Sequence, residues 1–279
     1  MLIYRNKRSL LKRVVRRMYY PIQIPYLLSP IFKEHVSFEE EIIPELEDFV
    51  ICFWETKSIS DSKEVANNII IPDGCIDLIV DYQTQQIGFS GMSQTDFHYE
   101  IINPANFIGA RLKPGAFYQL TGIPAIEAMD SFLPLSIVDP TVNYDEFFQL
   151  DPTAGKEVLK KWIEELRGEQ NPGNLIQLFD ELFEAGNVIT VNELAVKMTR
   201  SMRQVQRLFL KHYGLTPKMM LSVIRFQRSL EILLDTVGSS RKPADIDCLG
   251  YYDQPHLIKE IKKNIGITPV ELLKNYQKD

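Results

Sequence analysis

The chain has 279 residues, 45% of them hydrophobic and 24% charged, with a formal net charge of −6. That length suffices for two domains with cores of their own, and the composition excludes both wholesale disorder and a run of 18 apolar residues long enough to span a bilayer. Cys52, Cys75 and Cys248 form no CxxC pair and no zinc-like spacing, the usage expected of reduced thiols in a cytoplasmic protein.

The charge is unevenly spread. Residues 1–20 hold seven basic and no acidic side chains (+7), residues 21–187 nine basic and 28 acidic (−19), and residues 188–279 fifteen basic and nine acidic (+6). A basic C-terminal segment beside an acidic body is the asymmetry of a nucleic-acid reader joined to another module. The acidic body would also discourage DNA from lying across the wrong face.

In chain order, residues 1–20 form a basic arm that places Leu10, Leu11, Val14, Val15 and Met18 on one helical face. Charge interrupts its apolar run, which argues against a signal peptide. Packing on the acidic body is the favoured role, with DNA phosphates or an anionic lipid surface as alternatives. From about Pro30 to Arg111 the segments IFKEHVSF, DFVICFWE, NNIII, CIDLIVDY, IGFSG and NFIGARL read as short strands of a small barrel or sandwich. Turns are expected at Pro72-Asp73-Gly74 and Lys113-Pro114-Gly115, where Pro presets φ and Gly accepts a positive one. Helices are predicted over Ala116–Thr121, Ala125–Met129 and Ala154–Arg167. The polar stretch 168–173, with two Gly and a Pro, reads as a linker. The expected organisation is thus an arm (1–20), a β-rich sensor or dimerisation domain with C-terminal helices (21–167), the linker, and an all-helical domain (174–279).

Residues 190–213 carry the first reading unit. Thr190 and Glu193 make a capping box that opens a helix with Leu194, Ala195 and Met198 on its buried side. After a tight turn, Ser201 caps a second helix with Val205, Leu208, Phe209 and His212 toward the core. Its other face shows Met202, Arg203, Gln206, Arg207 and Lys211. Arg grips guanine bidentately and Gln grips adenine, so that face has the chemistry of base readout. A connecting helix from Thr216-Pro217, about 18 residues and roughly 27 Å long, leads to the second unit over 243–264. There Ala244–Leu249 is the expected scaffold helix. Asp253 caps a reader with Leu257 and Ile261 inside and Gln254, Pro255, Ile258, Lys259 and Lys262 outside. Pro255 is tolerated in the first turn, where a missing N–H costs nothing. Gly266-Ile-Thr-Pro269 repeats Gly214-Leu-Thr-Pro217.

Together, Ser201-x-Arg203-x-Val205-x-Arg207-x-Phe209, Gly214-x-Thr216-Pro217, Arg225, Leu233-Leu234, Gly250-Tyr251-Tyr252-Asp253-Gln254-x-His256-Leu257 and Gly266-x-Thr268-Pro269 resemble the AraC/XylS family of transcription regulators. The resemblance implies an α+β protein: a β-rich N-terminal barrel-like or sandwich domain followed by an all-α domain with two helix-turn-helix units. It assigns base readout by position to Arg203, Gln206 and Arg207, and to Gln254, Ile258 and Lys259. It implies double-stranded DNA and RNA polymerase as partners, a small-molecule effector at the first domain, a homodimer, and no cofactor. The sequence departs from the family at Ile246-Asp247-Cys248-Leu249-Gly250, one residue short before the turn glycine, and the preceding Val237–Pro243 is longer than usual. The alternative reading is therefore a ligand-binding or interaction protein whose second unit has degenerated.

Residues 28–137 are similar to an uncharacterised domain attached to such regulators, through Trp54, Pro72-Asp73-Gly74-Cys75-Ile76-Asp77-Leu78, Gly91 and Gly109-Ala-Arg111-Leu-Lys-Pro114-Gly115. Asp73, Asp77 and Arg111 sit on strand ends or turns where a pocket could use them to orient a polar effector. The competing role is an Asp–Arg pair bracing the turns. His35 and His98 are single, Cys75 has no neighbouring His, and no phosphate-cradling Gly loop is present, so neither a metal site nor an enzyme is expected.

Overall fold

The computed structural model of the protein describes residues 19–23, 34–60, 65–92, 97–102, 105–185, 189–235, 251 and 253–277. The basic arm before Tyr19 and the second scaffold helix expected over 244–249, with its shortened approach to Gly250, lie outside the described residues.

The β-rich half contains β1 (Val36–Glu41), β2 (Val50–Ser58), β3 (Val65–Ile70), β4 (Ile76–Asp81), β5 (Gln86–Ser90), β6 (Phe97–Ile102), β7 (Asn106–Leu112) and β8 (Phe132–Pro134). Six of them form one antiparallel sheet in the order β1-β2-β7-β4-β5-β8, and β3 pairs with β6 in a separate ribbon. β1 and β8 are not paired with each other, so the larger sheet stays open. β7 is central, and every residue from Phe107 to Leu112 is buried, Arg111 included. Gly109 is required there because the Trp54 ring lies across it, where a Cβ would collide. The turn glycines Gly74 and Gly115 adopt the positive φ expected of them, 76° and 90°.

β6 and β8 were not legible in the sequence. β6 interleaves His98 and Glu100 with apolar residues, and β8 spans three residues, too short to show a period.

Helices α1 (Ala116–Thr121), α2 (Leu135–Val138), α3 (Tyr144–Gln149) and α4 (Pro152–Arg167) follow, with a 3-10 turn at Ala125–Ala128. Asp151 caps α4 by accepting from Ala154 N, and α4 buries Leu159, Trp162 and Ile163. Beyond the linker come α5 (Asn174–Ala185), α6 (Val191–Lys197), α7 (Met202–Tyr213), α8 (Pro217–Asp235), α9 (Gln254–Ile265) and α10 (Pro269–Gln277).

The linker is pinned to α1, where Gln119 donates to Asn171 O (2.7 Å) and accepts from Gly173 N (2.7 Å). One apolar core crosses it, running from Phe89 and Phe117 of the β-rich half to Phe179, Val205, Phe209 and Tyr213 of the helical half. A second, smaller core gathers Phe226, Leu230 and Leu234 of α8 with Leu257 and Ile261 of α9, and closes over Ile22 and Ile71. Polar ties reinforce the junction. Buried Lys113 pairs with Asp180 at 2.9 Å, Asp180 also accepts from Tyr19 N, and Gln227 on α8 donates to Pro72 O at 2.9 Å.

Candidate nucleic-acid interface

The first unit is built as its caps dictate. Thr190 and Glu193 exchange hydrogen bonds, Thr190 N to Glu193 Oε2 at 2.7 Å and Glu193 N to Thr190 Oγ1 at 3.2 Å, which fixes the start of α6. At its end Thr199 takes a φ of 53° while Arg200 N donates back to Ala195 O. A β-branched residue is strained in that region, so the turn is held by its surroundings. Ser201 then closes a capping box with Gln204 and launches α7.

On α7, Val205, Phe209 and Tyr213 are buried, while Leu208 and His212 are half-buried. Met202, Arg203, Gln206, Arg207 and Lys211 are exposed. The guanidinium groups of Arg203 and Arg207 have no ion-pair partner among the described residues, so two forked donors and an amide share one open face. The other end of α7 is docked on the β-rich half. The His212 ring meets Tyr118 of α1 edge-on at 4.5 Å, and the Lys211 ammonium sits 4.5 Å from the same ring centroid. Burial, helped by Lys211, lowers the His212 pKa to about 4. Tyr118 carried no signal in the sequence that would have marked it as the seat of this helix.

Gly214 and Gly266, at φ 70° and 74°, end the two readers α7 and α9, as the repeated Gly-x-Thr-Pro suggested. Thr268 and Glu271 form a further capping box at α10. Asp253 caps α9 by accepting from His256 N at 2.8 Å, with Pro255 harmless in the first turn. Leu257, Ile261 and Ile265 are buried, and Pro255, Ile258, Lys259 and Lys262 are exposed. Arg225 of α8 clamps α9 by a bidentate pair to Glu260 (3.3 and 2.8 Å) and lies 5.0 Å from the Tyr251 ring centroid. The Arg225–Glu260 clamp is invisible in the sequence, since its partners are 35 residues apart.

The first unit, α6 and α7, is a helix-turn-helix; α8, a 19-residue helix, follows it, and α9 is capped and ended by the same glycine turn as α7. Residues 194–275 match the family model of a helix-turn-helix domain. The C-terminal part of the chain contains a helix-turn-helix domain. Residues 43–134 match a domain of unknown function (DUF6597). No curated protein matches the chain. Among solved structures it is similar to ToxT from Vibrio cholerae at 1.65 Å resolution, with 11% identity over 86% of this chain and 97% of that one and a TM-score of 0.39. It is also similar to ToxT from Vibrio cholerae O395, with 10% identity over 86% and 96% of the two chains and a TM-score of 0.38.

The three residues singled out in the β-rich half do meet. Register places Cys52, Arg111 and Asp77 side by side on β2, β7 and β4. The Arg111 guanidinium, 7% exposed, lies 3.2 Å from Asp77, 3.8 Å from Asp73 and 3.4 Å from Glu40, a carboxylate that sequence reading overlooked. The acceptors are already engaged: Asp73 takes hydrogen bonds from Gln23 (2.7 Å) and Cys75 N (2.9 Å), and Asp77 from Trp54 (3.1 Å). Burial raises the Asp77 carboxyl, partly countered by Arg111, and pushes the Cys52 and Cys75 thiols well up, which keeps them protonated. The cluster braces the 72–75 turn, whose Pro72 carbonyl accepts from Gln227 of α8.

Proposed function

We propose that the regulator reads its operator with α7 and α9, and that the state of the β-rich half sets how α7 is presented. In the first reader Arg203, Gln206 and Arg207 contact base edges while Ser201, Met202 and Lys211 flank them. In the second, Gln254, Pro255, Ile258, Lys259 and Lys262 face the duplex. The observation that carries this reading is the open face of α7, where Arg203, Gln206 and Arg207 are exposed together. The connecting helix is about 28 Å long at about 1.5 Å per residue, close to the roughly 34 Å between successive major-groove segments on one side of DNA. A small effector at Asp73, Asp77 and Arg111 would act by rearranging the ion cluster and, through Pro72, α8. We place RNA polymerase and a second copy of the chain as partners, in the cytoplasm. Among the described residues no helix is long and apolar enough to cross a membrane.

The test uses the full chain, because the core of its helical half is completed by the β-rich half. Selection from random duplexes should yield a consensus, and log affinity should fall against log salt by about 0.9 per phosphate contact. Selected pools without any sequence preference would overturn the reading.

A further inference from the structure

Between α8 and α9 lies a cleft of 460 Å³, a size that suits a small ligand. Its floor is apolar, made by Met219, Val223 and Phe226 of α8 with Pro72 reaching in from the β-rich half. Its rim is cationic: Lys218 stands on one side and Lys259 and Lys263, one helical turn apart, on the other. None of the three ammonium groups has an ion-pair partner among the described residues. The single carboxylate in the lining, Glu260, is already neutralised by Arg225 at 2.8 Å. Ser222 adds a hydroxyl to the same wall.

We propose that this cleft binds a small organic phosphate, a phosphomonoester on an apolar body. Three lysines around one space exceed what a single carboxylate neutralises, whereas a phosphomonoester carries about −1.5 to −2 charges and three acceptor oxygens. The apolar floor requires the rest of the ligand to be an aliphatic or aromatic body, because a bare anion would leave Met219, Val223 and Phe226 uncovered. Bound there, the phosphate ties α8 to α9 and occupies Lys259, so ligand and DNA compete for one ammonium group. Only that competition rests on the proposed DNA reading of α9; ligand binding itself does not.

The probe is 1-naphthyl phosphate titrated into the full chain by its fluorescence, beside 1-naphthol, 1-naphthoate and inorganic phosphate. Saturable one-site binding is expected, tighter than any of the three comparators. Lys218→Gln with Lys263→Gln should lower affinity about tenfold or more while leaving the DNA contacts assigned to α9 in place. Met219→Glu, which puts a carboxylate on the floor, should do the same. Inorganic phosphate binding as tightly as the naphthyl ester would overturn the proposal and mark the rim as a bare DNA-phosphate surface. Unchanged affinity in both variants, checked for native melting, would overturn it as well. If the ester binds but no DNA is displaced, the site stands and the DNA role of Lys259 falls.

Discussion

The two readers are fixed by different parts of the protein. α7 packs Val205, Phe209 and Tyr213 into a core that continues into the β-rich half, and its last turn rests on Tyr118. α9 packs Leu257 and Ile261 on α8 and is clamped by Arg225–Glu260. A change in the β-rich half therefore reaches the first reader by direct contact. Among the described residues it reaches the second by way of Gln227 of α8 on Pro72 and of Ile22 and Ile71 in the smaller core. One chain thus holds a helix, α7, packed on its β-rich half and a helix, α9, positioned by α8.

The sharpest way to break this comparison is to cut each core. Phe209→Ala should cost about 3–5 kcal/mol, because a fully buried ring leaves a cavity. The chain's two tryptophans, Trp54 and Trp162, both lie in the β-rich half. If the core is shared, their fluorescence in a denaturant titration should report the Phe209→Ala loss although the mutation sits in the helical half. Ile261→Ala should lower helical signal by circular dichroism more than it moves the tryptophan transition. Tryptophan transitions shifted equally by both would erase the distinction between the readers.

Arg111→Ala should be nearly as damaging, about 3–5 kcal/mol, since it leaves Glu40, Asp73 and Asp77 together without their cation. The Asp77 carboxyl, already raised by burial, would then also lose the cation that lowers it. Its contribution is fully present below the unfolded pKa and is lost as pH rises through the folded one, so the variant should recover part of its stability on acidification. Melting temperatures at pH 7 and pH 5 decide this; a variant that melts like the parent and merely loses effector response would make Arg111 a ligand contact instead of a brace.

At the DNA surface the effects are smaller. Arg207→Ala should cost about 1–3 kcal/mol of operator binding and relax preference at one base pair. Lys259→Ala should cost less, weaken all sequences alike and reduce the salt slope by about 0.9, as loss of a phosphate contact does. Equal and sequence-dependent losses in the two variants would make the second unit as discriminating as the first.

The elements legible in the sequence are those whose cause is local. Capping residues at Thr190, Ser201 and Asp253 and the twin Gly-x-Thr-Pro turns set both readers, and each consists of contacts within four residues. The turns at Gly74 and Gly115 were legible for the same reason. What escaped is long-range: Glu40 on Arg111, Asp180 on Lys113, Glu260 on Arg225, and above all the seat of α7 on Tyr118. Charge bookkeeping separated the acidic half from the basic one. It could not show that an apolar core bridges them, because an apolar residue does not disclose which neighbour covers it. The open sheet was likewise hidden, since strand pattern sets alternation of faces but not whether the edges meet.

The smallest expected effect tests the seat of the first reader by pH. His212 is neutral in the folded protein, its pKa lowered to about 4 by burial and by Lys211. The unfolded chain, with an imidazole near about 6.5, binds more protons between those values. Stability contributed by this group is therefore present above the unfolded pKa and is lost as pH falls from about 6.5 towards 4. Protonation would set an imidazolium beside the Lys211 ammonium over the same Tyr118 ring, so the α7–α1 contact should loosen first. His212→Phe keeps an aromatic edge against Tyr118 and removes the titration. Melting curves between pH 7 and pH 4 should then fall less steeply for the variant than for the parent, while Tyr118→Ala lowers stability at every pH and flattens the slope too. Parallel curves for parent and His212→Phe would show that acid acts elsewhere, and that α7 is held to the β-rich half by its buried apolar face alone.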